Sequence, residues 1–190
     1  MLIGSKGAQG KGKTLTMVGL VLVLWQTGGY KPEEFFGNVS ILLPGFHWCA
    51  EPVGCAEKGY HRIPDKATFR EFIRYVFDSD RRHLVIVADE IDALYPSRFF
   101  KDRAQTEELL NLWQDEKRFL MFLYTCHLGT SIDTIIRKAT QIVVIPDYSR
   151  ETDSVDLFVI NNLDLETHED AFLNVSKLLF PLYDRWELIR

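Results

Sequence analysis

The chain has few cysteines, no apolar run long enough to cross a membrane and no excess of positive charge. Its three cysteines among 190 residues argue against a disulfide scaffold and favour a reducing compartment. The most apolar stretch, Leu15 to Trp25, is about eleven residues long, whereas a membrane-spanning helix needs about twenty. The formal net charge of −5 provides no global positive field for nucleic acid, although a local basic lining would be sufficient.

The sequence also lacks internal repeats, low-complexity tracts and the basic and apolar segments of a secretory signal peptide. We therefore expect a cytoplasmic protein with no membrane span in this chain. With 46% hydrophobic and 26% charged residues, the chain is long enough to bury a sizeable core, and we expect a single domain over residues 1–190. Residues 44–64 are rich in glycine and proline and are predicted to form an irregular excursion, and residues 164–190 a C-terminal extension.

One segment near the start has the pattern of a phosphate-binding loop, G-x-x-x-x-G-K-[ST], between an apolar start and a long apolar run. Its glycines are predicted to adopt positive φ angles that turn backbone N–H groups toward a phosphate at the positive end of the following helix. The lysine should contact the β- and γ-phosphates of ATP, and the threonine should bind Mg²⁺. The alternative is a glycine-rich turn that matches by chance. The predicted nucleotide-binding residues are Gly7, Ala8, Gln9, Gly10, Lys11, Gly12, Lys13 and Thr14.

A second segment has the pattern of a strand that delivers acids to the same site. His83 to Ala88 is an apolar, β-branched run typical of a strand buried on both faces, and Asp89 and Glu90 follow it directly. Ligands of open α/β sheets bind at the carboxyl ends of the strands, where the first strand also places the phosphate loop. We expect Asp89 to hold Mg²⁺ through water and Glu90 to polarise the attacking water. The alternative is a solvated strand end, where acids are common.

The remaining pattern predicts an α/β fold, with a mostly parallel central sheet sandwiched by helices. Residues 93–103, which contain a proline and several aromatics, are expected to form a broken segment over the active site. The predicted strands are Leu2–Ile3, Phe36–Leu43, His83–Ala88, Phe119–Thr125, Gln141–Ile145 and Val155–Ile160, the last extending the sheet edge. The predicted helices are Leu15 to Trp25, ending near Gly28, then Thr68–Phe77, Thr106–Lys117 and Ile132–Lys138.

The order of these motifs resembles the FtsK/HerA group of P-loop ATPases, which pump DNA. The resemblance is carried by the phosphate loop, the apolar strand ending in Asp89-Glu90, and a later strand ending in the polar Thr125. Within that group, the chain looks most like the zonula occludens toxin-like proteins of filamentous phages and the genome-packaging ATPases of membrane-containing viruses. The supporting segments are Gly37-Asn38-Val39, Ala88-Asp89-Glu90, Tyr95 to Arg98, Ile132 to Ile145 and Leu182 to Glu187. The resemblance implies a RecA-like P-loop NTPase fold.

It also implies an ATP-hydrolysing, Mg²⁺-dependent motor that translocates viral or phage DNA without sequence specificity, in genome packaging or in phage extrusion. Its expected partners are further copies of itself in a ring, expected to be hexameric, and virion, portal or phage assembly proteins. The expected location is the host cell cytoplasm or the virion. The candidate catalytic residues are Lys13, Glu90, Thr125 as a γ-phosphate sensor, and Arg118 as an arginine finger, with Arg98 second.

The sequence departs from this group at one site position and leaves other functions open. The sensor usually reads Thr-Gln in the group, whereas this chain has Thr125-Cys126-His127. A P-loop kinase of a small metabolite is one alternative, disfavoured by Glu90, and a nucleotide-dependent assembly scaffold is another. The alternative for Arg118 is a basic residue that favours a helix dipole. Four possible metal ligands match no standard zinc spacing, which favours scattered polar loop residues and leaves a metal site as the alternative. They are His47, Cys49, Cys55 and His61.

Overall fold

A computed structural model describes residues 1–39, 41, 61–62, 71–72, 76, 82–94, 120–127 and 134–183. The strands are β1 (Leu2–Lys6), β2 (Phe35–Gly37), β3 (His61–Arg62), β4 (Val85–Ala88), β5 (Met121–Cys126), β6 (Ile142–Ser149), β7 (Ser154–Asn161) and β8 (Thr167–Leu173). The α-helices are α1 (Lys13–Thr27), α2 (Ile91–Leu94), α3 (Thr134–Ala139) and α4 (Val175–Leu178). Short 3₁₀ helices span Pro32–Glu34 and Phe180–Leu182.

These strands form one mixed sheet in the order β3-β2-β4-β5-β1-β6-β7-β8. The six strands from β3 to β6 in this order are parallel, and β7 and β8 are antiparallel to their neighbours. Every residue of β4 and β5 is buried, which agrees with their continuous apolar sequences. The predicted α/β fold with a mostly parallel sheet is confirmed.

The core lies on both faces of the sheet. On one face, α1 buries Met17, Val18 and Val21 completely against β1, β4 and β5. On the other face, Phe36 stacks on Phe72 with 4.6 Å between ring centroids, in a cluster that includes residues of β4, β5 and α3. The central strands of the sheet are therefore covered by apolar side chains from both sides, as in other sandwiched α/β domains.

Helix α1 follows the phosphate loop and ends where it was predicted to end. Its first intrahelical hydrogen bond runs from the Thr16 N–H to the Gly12 carbonyl, and the Gly28 N–H closes its last turn on the Leu24 carbonyl at 3.0 Å. Gly29 follows with a φ of +76°, a left-handed conformation that glycine adopts readily after a helix. Among the described helices, none is long and apolar enough to cross a membrane.

Three features of the sheet differ from the sequence expectations. Within the described part of the predicted strand Phe36–Leu43, β2 ends at Gly37, and Ile41 makes an isolated bridge to Tyr183. Strand β7 does not lie at the sheet edge, because β8 pairs along its outer side. Strand β8 falls within the predicted C-terminal extension, and its largely exposed sequence gave no strand pattern.

Several predicted segments lie wholly or mostly outside the described residues. They are the excursion at residues 44–64, the helices Thr68–Phe77 and Thr106–Lys117, and residues 95–103.

Candidate nucleotide-binding site

The phosphate loop connects β1 to α1 in the middle of the sheet, between β5 and β6. Gly10 and Gly12 have φ angles of +80° and +86°, as expected for glycines that turn backbone N–H groups into such a loop. The expectation that Gly7 also has a positive φ is wrong. A Cβ at Gly7 would lie at ordinary contact distances, 3.7 Å or more, from its nearest neighbours, so neither conformation nor crowding requires glycine there.

Lys13 places its ammonium inside the loop. The side chain is only 8% exposed, and Nζ donates to the carbonyls of Gly7 at 2.9 Å and Ala8 at 3.0 Å. Both acceptors are uncharged carbonyl oxygens, which phosphate oxygens could replace as acceptors. The N-terminus of α1, a fifteen-residue helix, adds the positive end of its dipole at the same place.

The other lysine of the loop, Lys11, is paired with a residue of strand β6. Lys11 Nζ makes a salt bridge with Asp147 on β6 at 2.8 Å, and both side chains are about half exposed or more. Surface pairs of this kind contribute about 0–1 kcal/mol. The side chain of Lys11, predicted among the nucleotide-binding residues, therefore lies against the neighbouring strand, and Ala8 and Gln9 are exposed at the loop tip.

Asp89 and Thr14, the predicted magnesium ligands, meet in the structure. The Thr14 hydroxyl donates to both carboxylate oxygens of Asp89, at 3.0 and 3.2 Å. Burial raises the pKa of the Asp89 carboxyl above its usual value, and hydrogen bonds from Thr125 and Thr14 and the charge of Lys13 oppose that rise. A hydroxyl and one carboxylate are oxygen donors of the kind that Mg²⁺ uses when phosphates and water complete its coordination, so these residues fit the ion.

Glu90 lies in the turn that joins β4 to α2. Its φ is +51°, a left-handed conformation that is uncommon for residues with a Cβ. The side chain is exposed beside Asp89 at the carboxyl edge of the sheet. The structure therefore brings Glu90, Asp89, Lys13 and Thr14 together at the edge where the sequence placed them.

Thr125 lies fully buried near the end of β5 and bonds to both acidic residues. Its hydroxyl donates to Asp89 Oδ1 at 2.6 Å and accepts the backbone N–H of Glu90 at 2.8 Å. In this conformation its single donor is therefore directed at Asp89. The γ-phosphate sensor role stays a prediction. The arginine-finger candidates Arg118 and Arg98 lie outside the described residues.

Asn38 belongs to the site and was not among the predicted site residues. Its side-chain oxygen accepts the Asp89 N–H at 2.7 Å, and its side-chain nitrogen donates to the Asp89 carbonyl at 2.9 Å. No sequence pattern singles out Asn38, since the polar Ser40 lies in the same stretch, but in the structure Asn38 is only 7% exposed. Buried amides need hydrogen-bond partners, so such a residue marks a specific contact.

Whether the histidines and cysteines of residues 47–61 bind a metal stays open. His47, Cys49 and Cys55 lie outside the described residues, and only the backbone of His61 is described. Among the described residues, no group of three or more potential metal-binding side chains is present.

The sheet order, the loop between β1 and α1 and the acidic pair at the end of β4 define the fold as that of the RecA-like P-loop NTPases. Similar solved structures support this assignment. The N-terminal domain of zonular occludens toxin from Neisseria meningitidis matches with a TM-score of 0.62 and 14% identity, over 96% of this chain and 98% of that chain. The genome packaging NTPase B204 from Sulfolobus turreted icosahedral virus 2, in complex with sulfate, matches with a TM-score of 0.65 and 12% identity, over 88% and 94%.

Two further matches agree. B204 in complex with ATP-gammaS gives a TM-score of 0.63 at 9% identity, over 88% of this chain and 95% of that chain. EssC from Geobacillus thermodenitrificans gives 0.55 at 12% identity, over 92% of this chain and 40% of that chain. A scan against protein-family models and a search of curated proteins give no match. The expected resemblance is thus confirmed for the fold, which is what such low identities establish.

Proposed function

We propose that the chain binds and hydrolyses ATP at the carboxyl edge of β1, β4 and β5. The observation that carries the proposal is the meeting of the buried Lys13 ammonium with Thr14, Asp89 and Glu90 at one sheet edge. Lys13 would exchange the neutral carbonyls of Gly7 and Ala8 for phosphate oxygens, while N–H groups of the loop and of the first turn of α1 would receive the phosphate chain.

Thr14 and Asp89 would hold Mg²⁺, which neutralises charge on the β- and γ-phosphate oxygens when bound. Glu90 would accept a proton from the attacking water as the water oxygen bonds to the γ-phosphorus. The bond between the γ-phosphorus and the bridging oxygen then breaks, and the products are ADP and phosphate. An exposed carboxylate directly after Asp89 supports this role, since the base must reach a water in front of the γ-phosphate.

We further propose that hydrolysis drives the movement of DNA in virus or phage assembly, by a ring of identical protomers, expected to be hexameric. Support comes from the names of the similar structures, a genome packaging NTPase and a zonular occludens toxin domain. The formal charge of −5 means that DNA affinity should depend on a few local lysine or arginine contacts. We expect binding that is weak for single protomers, independent of sequence and strongly reduced by salt.

One experiment separates this function from the two alternatives. Phosphate release is measured with ATP alone, with added double-stranded DNA, and with candidate phosphoacceptor metabolites. Stimulation by DNA is the expected result. Transfer of phosphate to a metabolite would indicate a kinase, and no response to either addition would indicate a scaffold with slow turnover.

We also propose that Arg118 completes the site of a neighbouring protomer. Charge builds up on the γ-phosphate oxygens during transfer, and an arginine supplied by a neighbour is worth about 10³–10⁵ in rate. Arg118→Ala protomers, inactive alone, should regain activity when mixed with inactive Glu90→Gln protomers. Lys117→Ala is the matched control and should keep activity. A mixture that remains inactive while both variants assemble would contradict a finger acting between subunits.

A further inference from the structure

The turn between Asp89 and Glu90 is held by two side chains, one directly after β2 and one in β5, the strands that flank β4. The peptide group joining the two acidic residues is bound at each end. Its carbonyl accepts a hydrogen bond from Asn38 Nδ2 at 2.9 Å, and its N–H donates to Thr125 Oγ1 at 2.8 Å. Asn38 comes directly after β2 and Thr125 lies in β5, the two neighbours of β4 in the sheet. The turn is therefore fixed from two directions.

Asn38 binds the turn and the end of β4 through three hydrogen bonds. Its side-chain oxygen also accepts the Asp89 N–H at 2.7 Å, so one amide binds both backbone groups of Asp89. Its own backbone N–H donates to the Val87 carbonyl at 3.2 Å, which extends the pairing of β2 with β4 by one step. The residue is 7% exposed and its amide contacts are directed at the turn.

The two acidic side chains differ in how far the turn determines their positions. The Asp89 carboxylate is additionally held by the hydroxyls of Thr14 and Thr125. Among the described residues, the Glu90 carboxylate has no hydrogen-bond or salt-bridge partner. Glu90 also has a φ of +51°, which costs energy for a residue with a Cβ and persists only where the surroundings enforce it. The position of the Glu90 side chain therefore depends on the turn that carries it, whose backbone groups are held by Asn38 and Thr125.

We propose that Asn38 is a positioning residue for Glu90. Its amide holds the left-handed turn from which the Glu90 carboxylate reaches the attacking water. This inference rests on the proposed ATP hydrolysis. It assigns Asn38 an effect on turnover, and none on nucleotide affinity, because its amide bonds backbone groups of Asp89, and among the described residues it makes no hydrogen bond to the phosphate loop or to the Asp89 carboxylate.

The first test compares turnover with binding. Asn38→Ala should lower kcat for phosphate release by about 10- to 100-fold, as expected for small misplacements of a reacting group, and leave the Kd for ATP within about threefold. Asn38→Asp retains the acceptor for the Asp89 N–H and loses the donor to the Asp89 carbonyl, and should lose turnover as well. The control is Thr140→Val, since Thr140 is buried and its hydroxyl bonds Tyr124 and the Ile136 carbonyl away from the loop. It should leave kcat unchanged.

A double-mutant cycle distinguishes positioning from a general loss of structure. If Asn38 acts through Glu90, Asn38→Ala should reduce the residual rate of the Glu90→Gln variant by less than about threefold, because the base is already removed. An equal reduction in both backgrounds would overturn the proposal. So would a wild-type kcat in Asn38→Ala.

Amide hydrogen exchange supplies a readout that needs no activity. In the unliganded protein, Asn38→Ala should accelerate exchange of the Asp89 and Glu90 amides, and Thr140→Val should not. Unchanged exchange at both amides would overturn the proposal. If the wild-type protein hydrolyses no ATP, the proposed function fails and this inference fails with it. If the wild type is active and the Asn38 variants match it, only this inference fails.

Discussion

Replacement of Gly12 by alanine tests the geometry of the phosphate loop. Gly12 has a φ of +86°, and placing a residue with a Cβ in this left-handed conformation costs about 1–2 kcal/mol. The new Cβ would also lie 3.2 Å from Tyr148 Cβ and 3.3 Å from Val155 Cγ2. These residues are cross-strand partners in β6 and β7, so they cannot move apart freely, and crowding adds about 1–3 kcal/mol.

The expected loss of stability for Gly12→Ala is therefore about 2–5 kcal/mol, the sum of strain and crowding. For a chain of this size, that corresponds to a fall in Tm of roughly 4–20 °C. The assay is thermal unfolding without nucleotide, because a bound ligand would add its own stabilisation.

Two glycines of the same loop act as controls. In Gly10→Ala only the backbone is strained, since a Cβ there meets nothing within 4 Å. The free energy of unfolding should therefore fall by about 1–2 kcal/mol. Gly7→Ala has neither cost and should change stability by less than about 0.5 kcal/mol. Equal losses for Gly7→Ala and Gly12→Ala would refute this account of the loop.

Two further predictions concern other parts of the sheet. A Cβ at Gly19 of α1 would approach the Phe172 ring of β8 to 2.7 Å, which opposes the gain of about 1 kcal/mol in helix propensity. Gly19→Ala should therefore be neutral or destabilising in the wild type and stabilising in a Phe172→Leu background, as measured by denaturant unfolding. The same sign in both backgrounds would contradict the contact. Burial raises the pKa of the Cys126 thiol to about 11, so at pH 8 only about one thousandth is thiolate. Maleimide labelling of the Cys126 peptide should be at least about 100-fold slower in the folded protein than in urea and should accelerate as pH rises toward 11. A folded-state rate within tenfold of the unfolded rate would exclude this environment.

The sequence predicted those parts of the site whose chemistry is local. The phosphate loop and the Asp89-Glu90 pair are each contiguous, and β4 and β5 are apolar because both of their faces are buried. Together these elements determine which sheet edge carries the site.

Features that depend on distant contacts were not predicted. Asn38 acts through a neighbouring strand, and a single asparagine has no pattern that reveals this. Strand β8 is largely exposed and is held by pairing with β7, so its sequence shows no apolar alternation. The motif also does not specify which of its glycines adopt a positive φ angle. Gly10 and Gly12 do, whereas Gly7 has no positive φ.

The central claim is that Lys13 binds ATP and Glu90 hydrolyses it at one site. The most direct measurement is the Kd for ATP together with the rate of phosphate release in Lys13→Ala and Glu90→Gln, with Lys11→Ala as the control lysine of the same loop. Lys13→Ala should lose tight binding, Glu90→Gln should bind normally and hydrolyse about 10²–10⁴-fold more slowly, and Lys11→Ala should resemble the wild type. Equal loss of binding in the Lys13 and Glu90 variants, or full hydrolysis by Glu90→Gln, would contradict the assignment.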